Sequence, residues 1–138
     1  MRTIEQDVIS AVRDGHDFKA GHCNGREWRG AYLYGYRDKL VWDGVHFEYR
    51  LWDNVIAEGN RETGRITLSS CGYATATTVS RINAVCAALD IPVSCRIQDK
   101  SVKFYLNGRD ICEVRTDSDE VAGQADAFKA GTWFVTIK

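Results

Sequence analysis

The chain has 138 residues, 44% of them hydrophobic, with a formal net charge of −1. That length suits one domain with a proper core. Both signs of charge are scattered, which excludes a wholly basic nucleic-acid binder and an acidic DNA mimic and leaves only local patches.

No run of about 18 apolar residues occurs, so no membrane span is expected. Met1-Arg2-Thr3-Ile4-Glu5-Gln6-Asp7 lacks the apolar core of a secretory signal. The five cysteines, Cys23, Cys71, Cys86, Cys95 and Cys112, are odd in number and widely spread. They read as reduced thiols of a cytoplasmic protein, with Cys86 and Cys112 as small buried hydrophobes.

A helix is predicted over residues 3–14. Thr3 and Gln6 form a capping box, Ile4, Val8 and Val12 share a face, and Gly15 stops it. From His16 to Gly30 the chain is polar and glycine-containing, with turn signals at Asn24-Gly25, and reads as loop. Trp28 to Tyr36 reads as a strand rich in aromatic residues. A first meander is placed at 39–68. Asp43-Gly44 makes its hairpin, and Phe47, Tyr49 and Leu51 face inward while His46, Glu48 and Arg50 face out. Trp52-Asp53-Asn54 turns into Val55-Ile56-Ala57, and Arg65 to Leu68 follows.

A second helix is predicted over 78–89, capped by Thr77 or Thr78, with Ile82, Val85, Cys86 and Leu89 as its stripe. Asp90-Ile91-Pro92 ends it. A second meander is placed at 93–115, then an acidic loop from Thr116 to Gly123 and a terminal strand at 133–137. The two meanders align without a gap at an offset of fifty-five. Phe47, Tyr49 and Leu51 fall on Val102, Phe104 and Leu106, and Trp52-Asp53-Asn54 falls on Asn107-Gly108-Arg109. Phe18-Lys19-Ala20-Gly21 also recurs as Phe128-Lys129-Ala130-Gly131, too short a match to interpret alone. The expected fold is one α+β domain over 1–138, an antiparallel sheet built from two meanders with two helices packed on one face.

Between the meanders runs a distinctive segment: Gly72-Tyr73, Thr75, Thr77-Thr78, Arg81, Ile82 and Asn83. A Gly-aromatic pair followed by Thr-x-Thr-Thr-x-x-Arg-Ile/Leu-Asn resembles small bacteriophage and mobile-element proteins that carry no assigned activity. The resemblance implies a phage-type protein and no particular chemistry.

Thr77, Thr78 and Arg81 form a candidate anion site at the helix start, where free amides meet a cation; the same groups also serve as helix caps. Arg26, Trp28, Arg29, Tyr34, Tyr36 and Arg37 form a candidate partner-binding set, since aromatic rings and arginines concentrate binding energy. His16, His22 and Cys23 are close, but no second ligand pair accompanies them, so no metal or cofactor is expected. Cys71 beside a helix N-terminus is a candidate thiol nucleophile, with His46 the nearest base.

The leading expectation is a non-catalytic phage-type accessory protein, monomer or homodimer, that binds a host or defence-system protein in the host cytoplasm; an inhibitor of a CRISPR effector is one concrete form. The alternatives are a single-stranded nucleic-acid-binding module using the aromatic and basic strand, and a thiol enzyme at Cys71.

Overall fold

Thr3 opens helix α1 (Ile4–Asp14) with the reciprocal capping box the sequence predicts: the Gln6 amide donates to the Thr3 hydroxyl, and the Thr3 amide to the Gln6 side chain. Gly15, at φ 78°, adopts the left-handed conformation that ends the helix. The computed structural model describes residues 3–28, 30–111 and 127–138, the side chains at 23, 24, 26–28, 31–34 and 127 excepted.

The strands follow as β1 (Phe18–Trp28), β2 (Ala31–Asp43), β3 (His46–Leu51), β4 (Asn54–Asn60) and β5 (Arg65–Leu68). Helix α2 (Ala76–Ala88) leads to β6 (Val93–Gln98), β7 (Ser101–Leu106) and β8 (Arg109–Asp110), and the chain closes with β9 (Ala127–Ala130) and β10 (Trp133–Ile137). Seven strands form one sheet in the order β1-β2-β3-β4-β5-β10-β9, and β6-β7-β8 form a second. The class is α+β, as expected. In place of a single sheet, the second meander makes its own, and β10 pairs parallel to β5 while the other described pairs are antiparallel. The helices share one core with Leu40, Phe47, Tyr49, Ile66, Leu68 and Val135.

Three local expectations are corrected. The stretch from His16 to Gly30 is not a loop: β1 runs through it, paired with β2 from Phe18↔Leu40 to Trp28↔Ala31. Gly21, His22, Asn24 and Gly25 interrupt the apolar alternation by which a half-buried strand is read. Helix α2 begins two residues earlier than predicted, and its cap is Thr75, whose extended backbone lets its hydroxyl accept the Thr78 amide. The first hairpin loop is Gly44-Val45, since Asp43 still pairs with His46.

The offset of fifty-five survives in three dimensions. The segment Asp38–Asp43 of β2, all of β3, and the start of β4 stand fifty-five positions before β6, β7 and β8. Even single hydrogen bonds repeat: the Trp52 amide donates to the Arg37 carbonyl at 2.8 Å, and the Asn107 amide to the Pro92 carbonyl at 2.9 Å. The molecule therefore holds two copies of one helix-and-meander unit.

The recurring Phe-Lys-Ala-Gly tetrapeptide has a separate explanation. It lies on β1 and β9, the two edges of the large sheet. Lys19 and Lys129 are exposed, and Gly21 and Gly131 bend the chain at φ 71° and 62°. Exposed lysines and a bent backbone discourage further strands from adding to either edge.

Candidate functional site

The two copies differ most where the first departs from the sheet. Residues 15–37 stand between α1 and Asp38, whereas the four residues 89–92 connect α2 to β6. Strand β3 accompanies β2 only from Asp38 to Asp43. Beyond Asp38 the β1–β2 hairpin continues as a two-stranded arm, eight residues of β1 from Gly21 to Trp28, about 26 Å at ~3.3 Å per residue. Gly21, Gly25 and Gly35 have positive φ, and the register shifts between Asn24 and Arg26, so the ribbon is bent and twisted.

At the root of the arm Asp38 is fully buried. Its Oδ1 accepts hydrogen bonds from the Tyr49 hydroxyl and from Arg81 Nε, both at 2.7 Å. Its Oδ2 accepts from Arg37 Nε at 2.7 Å. Arg81 Nη1 donates to Ser80 Oγ, which donates to the Glu5 carboxylate at 2.6 Å. One buried carboxylate thus ties the arm to β3, α2 and, through Ser80, α1. Gly21 makes room for this: a Cβ there would lie 2.9 Å from Arg37 Cβ.

Burial works to raise the pKa of Asp38, but the hydrogen bonds from Arg81, Tyr49 and Arg37 outweigh it and hold the carboxyl below its ordinary value. Burial, and then the Asp38 charge, push the Tyr49 phenol well above its ordinary range. Burial opposes the charge on Arg81, yet Asp38 holds it above its usual value. In the second copy the positions of Asp38 and Tyr49 are occupied by Val93 and Phe104, both buried. The shared fold is satisfied with apolar residues there; the polar cluster belongs to the arm.

Beside the root sits the turn Trp52-Asp53, joining β3 to β4 with both residues at positive φ, 49° and 67°. The second copy uses Asn107-Gly108, the residues this turn prefers. A bulky side chain in the left-handed region is disfavoured by roughly 1–2 kcal/mol, and Trp52 is 44% exposed, so core packing does not explain it. Next to the start of β4 lies the loop carrying Tyr73, 52% exposed: the Ser69 amide donates to Ile56 and the Cys71 thiol to Val55. Tyr36, 43% exposed, meets the His22 ring at a tilt, with centroids 5.1 Å apart and the planes at 56°. Tyr36 and Trp52 are thus exposed beside the arm's root, and Tyr73 is exposed on the loop next to the start of β4.

The structure distributes the predicted residues unevenly. Tyr36 and Arg37 lie at the arm's base. The side chains of Arg26, Trp28 and Tyr34, and residue Arg29, lie outside the described residues, as do Cys112 and the acidic loop at 116–123. The anion set does not assemble: Arg81 is spent on Asp38, and Thr78 is buried with its hydroxyl 2.9 Å from that of Thr75. Helix N-terminal amides are met by caps instead. Asn83 clamps both backbone groups of Cys95, accepting from its amide at 2.8 Å and donating to its carbonyl at 3.0 Å. Cys71 sits against Val55 at one end of β4, while His46 faces Asn60 at the other. Burial pushes the thiols of Cys86 and Cys95 up to about 12. Among the described residues no group of three potential ligands is placed to hold a metal, and no helix is long and apolar enough to cross a membrane.

Sequence reasoning missed Asp38 and the strain at Trp52. The signal for both was the offset of fifty-five, which sets an aspartate against Val93 and a tryptophan against Asn107.

A family model described as Kyanoviridae Gp96 protein matches residues 1–135 of the chain. No curated protein and no solved structure matches it.

Proposed function

The chain belongs to the Kyanoviridae Gp96 family of bacteriophage proteins, and from that premise we propose that it is a non-catalytic accessory protein that binds a host or defence protein in the host cytoplasm. The arm-bearing end is its docking surface. The observation that carries this reading is the contrast between the copies: one folds with a four-residue link, the other inserts a long ribbon at the same point. A two-stranded ribbon contributes little to folding on its own, so contact with another molecule is the role it supports best. Exposed Tyr36, Trp52 and Tyr73 supply the kind of side chain that dominates protein interfaces.

A non-catalytic role is supported by how the reactive groups are engaged. The Cys71 thiol donates to a backbone carbonyl, remote from His46, and Asp38 is enclosed by three donors. Blocking a surface of a host enzyme or of a CRISPR effector needs no more than this. Pull-down from host lysate with the full chain tests the reading. A stoichiometric protein is expected, lost when Trp28→Ala is combined with Tyr36→Ala; recovery of the bait alone, or of nucleic acid whose binding weakens with salt, contradicts it.

A further inference from the structure

We infer that the free edge of β6 is a strand-pairing surface held shut by Asn83, and that the strand it takes when opened is β6 of a second copy of this chain. The inference is independent of the arm and of the docking role proposed above.

Strand β6 stands at the edge of its sheet, with only β7 beside it among the described strands. It pairs from Val93↔Leu106 to Gln98↔Ser101 without a register shift. A regular edge of this kind offers a row of backbone donors and acceptors to another strand. The other described edges are defended: Lys19 and Lys129, each beside a bend, guard β1 and β9, and β8 is two residues long. Strand β6, Val-Ser-Cys-Arg-Ile-Gln, has no lysine, proline or glycine of its own.

Its defence comes from α2. Asn83 Oδ1 accepts the Cys95 amide at 2.8 Å, and Asn83 Nδ2 donates to the Cys95 carbonyl at 3.0 Å. Both backbone groups of Cys95 therefore point away from β7. A side-chain carboxamide carries the donor and acceptor of a peptide group, so Asn83 stands at this edge in place of a strand. The first copy shows what it replaces. At Leu40, the position aligned with Cys95, the matching edge carries a true strand, with Phe18 of β1 opposite. The architecture thus accepts an antiparallel strand at this edge while both helices pack on the core.

Alternation turns the Ile97 amide and carbonyl to the same side as those of Cys95, and the Ile97 side chain is 43% exposed. The sequence of β6 suits a second copy of itself. An antiparallel pair centred on Cys95 sets Val93 against the second copy's Ile97, and Arg96 against its Ser94, so no like charges meet. Centring on Arg96 would set two guanidinium groups opposite each other. A two-fold contact of this kind uses one patch on both chains and leaves no β6 edge for a third.

The test begins with amide exchange in the native chain. The Cys95 amide should exchange at least about tenfold more slowly than that of Ile97; equal protection would mean that the edge is already covered, and overturns the inference. Analytical ultracentrifugation then follows Asn83→Ala. Self-association should strengthen at least about tenfold over the native chain, stop at a dimer, and slow the Ile97 amide. In that background Ser94→Glu should tighten the dimer and Ser94→Arg loosen it, since each meets Arg96 of the other chain. Where Asn83→Ala does not fold, Asn83→Ser is read in the same way. A folded variant that associates no more than the native chain overturns the inference, as does open-ended aggregation. Equal effects of the two Ser94 variants rule out β6 of a second copy as the occupant. Failure of both position-83 variants to fold makes Asn83 a folding contact and also overturns it.

Discussion

The two helix-and-meander copies share a register but not an economy. At four matched places the second copy holds the residue that the fold alone favours: Pro92 where the arm joins, Val93 and Phe104 in the core, Asn107-Gly108 in the turn. The first holds Arg37, Asp38, Tyr49 and Trp52-Asp53. All four departures cluster at the end from which the arm projects. An internal comparison therefore separates what the architecture demands from what was added to it, in one chain and under one set of conditions.

The sharpest way to break this comparison is at Arg81. Removing it by Arg81→Ala leaves Asp38 buried with less than its full set of donors, and a loss of about 3–5 kcal/mol is expected in urea unfolding. Replacing the buried charges together, Asp38→Val with Tyr49→Phe and Arg81→Met, should cost far less, because no charge is left buried unpaired and the second copy carries Val93 and Phe104 at the first two positions. Equal losses for the single and triple variants would refute the idea that the cluster serves the arm. At Gly21, an alanine would both hold a positive φ and collide with Arg37; about 1–3 kcal/mol is expected, together with faster amide exchange along β1 beyond Ala20.

The acid limb sharpens the same point. Asp38 has a folded pKa below its ordinary 3.8, so its contribution is fully present above that value and is lost as pH falls from about 3.8 through the lower folded value. Stability should decline in that window for the native chain and be flatter there in the apolar triple variant, as read by thermal melts across pH. The smallest effect is expected for Tyr36→Ala, within about 0.5 kcal/mol of native stability, since its exposed ring does little for the fold while it contributes to docking.

Much of the architecture was legible because it rests on short-range rules. The Thr3–Gln6 box, the inward set Phe47, Tyr49 and Leu51, and the terminal strand from Trp133 each follow from spacing and burial. The repeat was visible as aligned apolar positions. The split into two sheets was not, because edge termination depends on which strands meet in space. Strand β1 was hidden by its composition, with Gly21, Gly25, Asn24 and His22 where a core-facing strand would alternate. The site was legible only in part. Aromatic and basic residues marked the arm, whereas the role of Arg81 hinged on a carboxylate 43 positions away, beyond the reach of local pattern. A threonine-rich helix start beside an arginine drew attention to an anion site; the arginine is instead turned inward onto the buried Asp38 carboxylate.

The most direct measurement replaces residues 22–36 with Asn-Gly, closing the hairpin at the facing pair Gly21 and Arg37. If the arm is an addition to a self-sufficient fold, the shortened chain should melt cooperatively within a few degrees of the native protein and capture no partner. Unfolding of the shortened chain, or undiminished capture by it, would contradict that division between scaffold and arm.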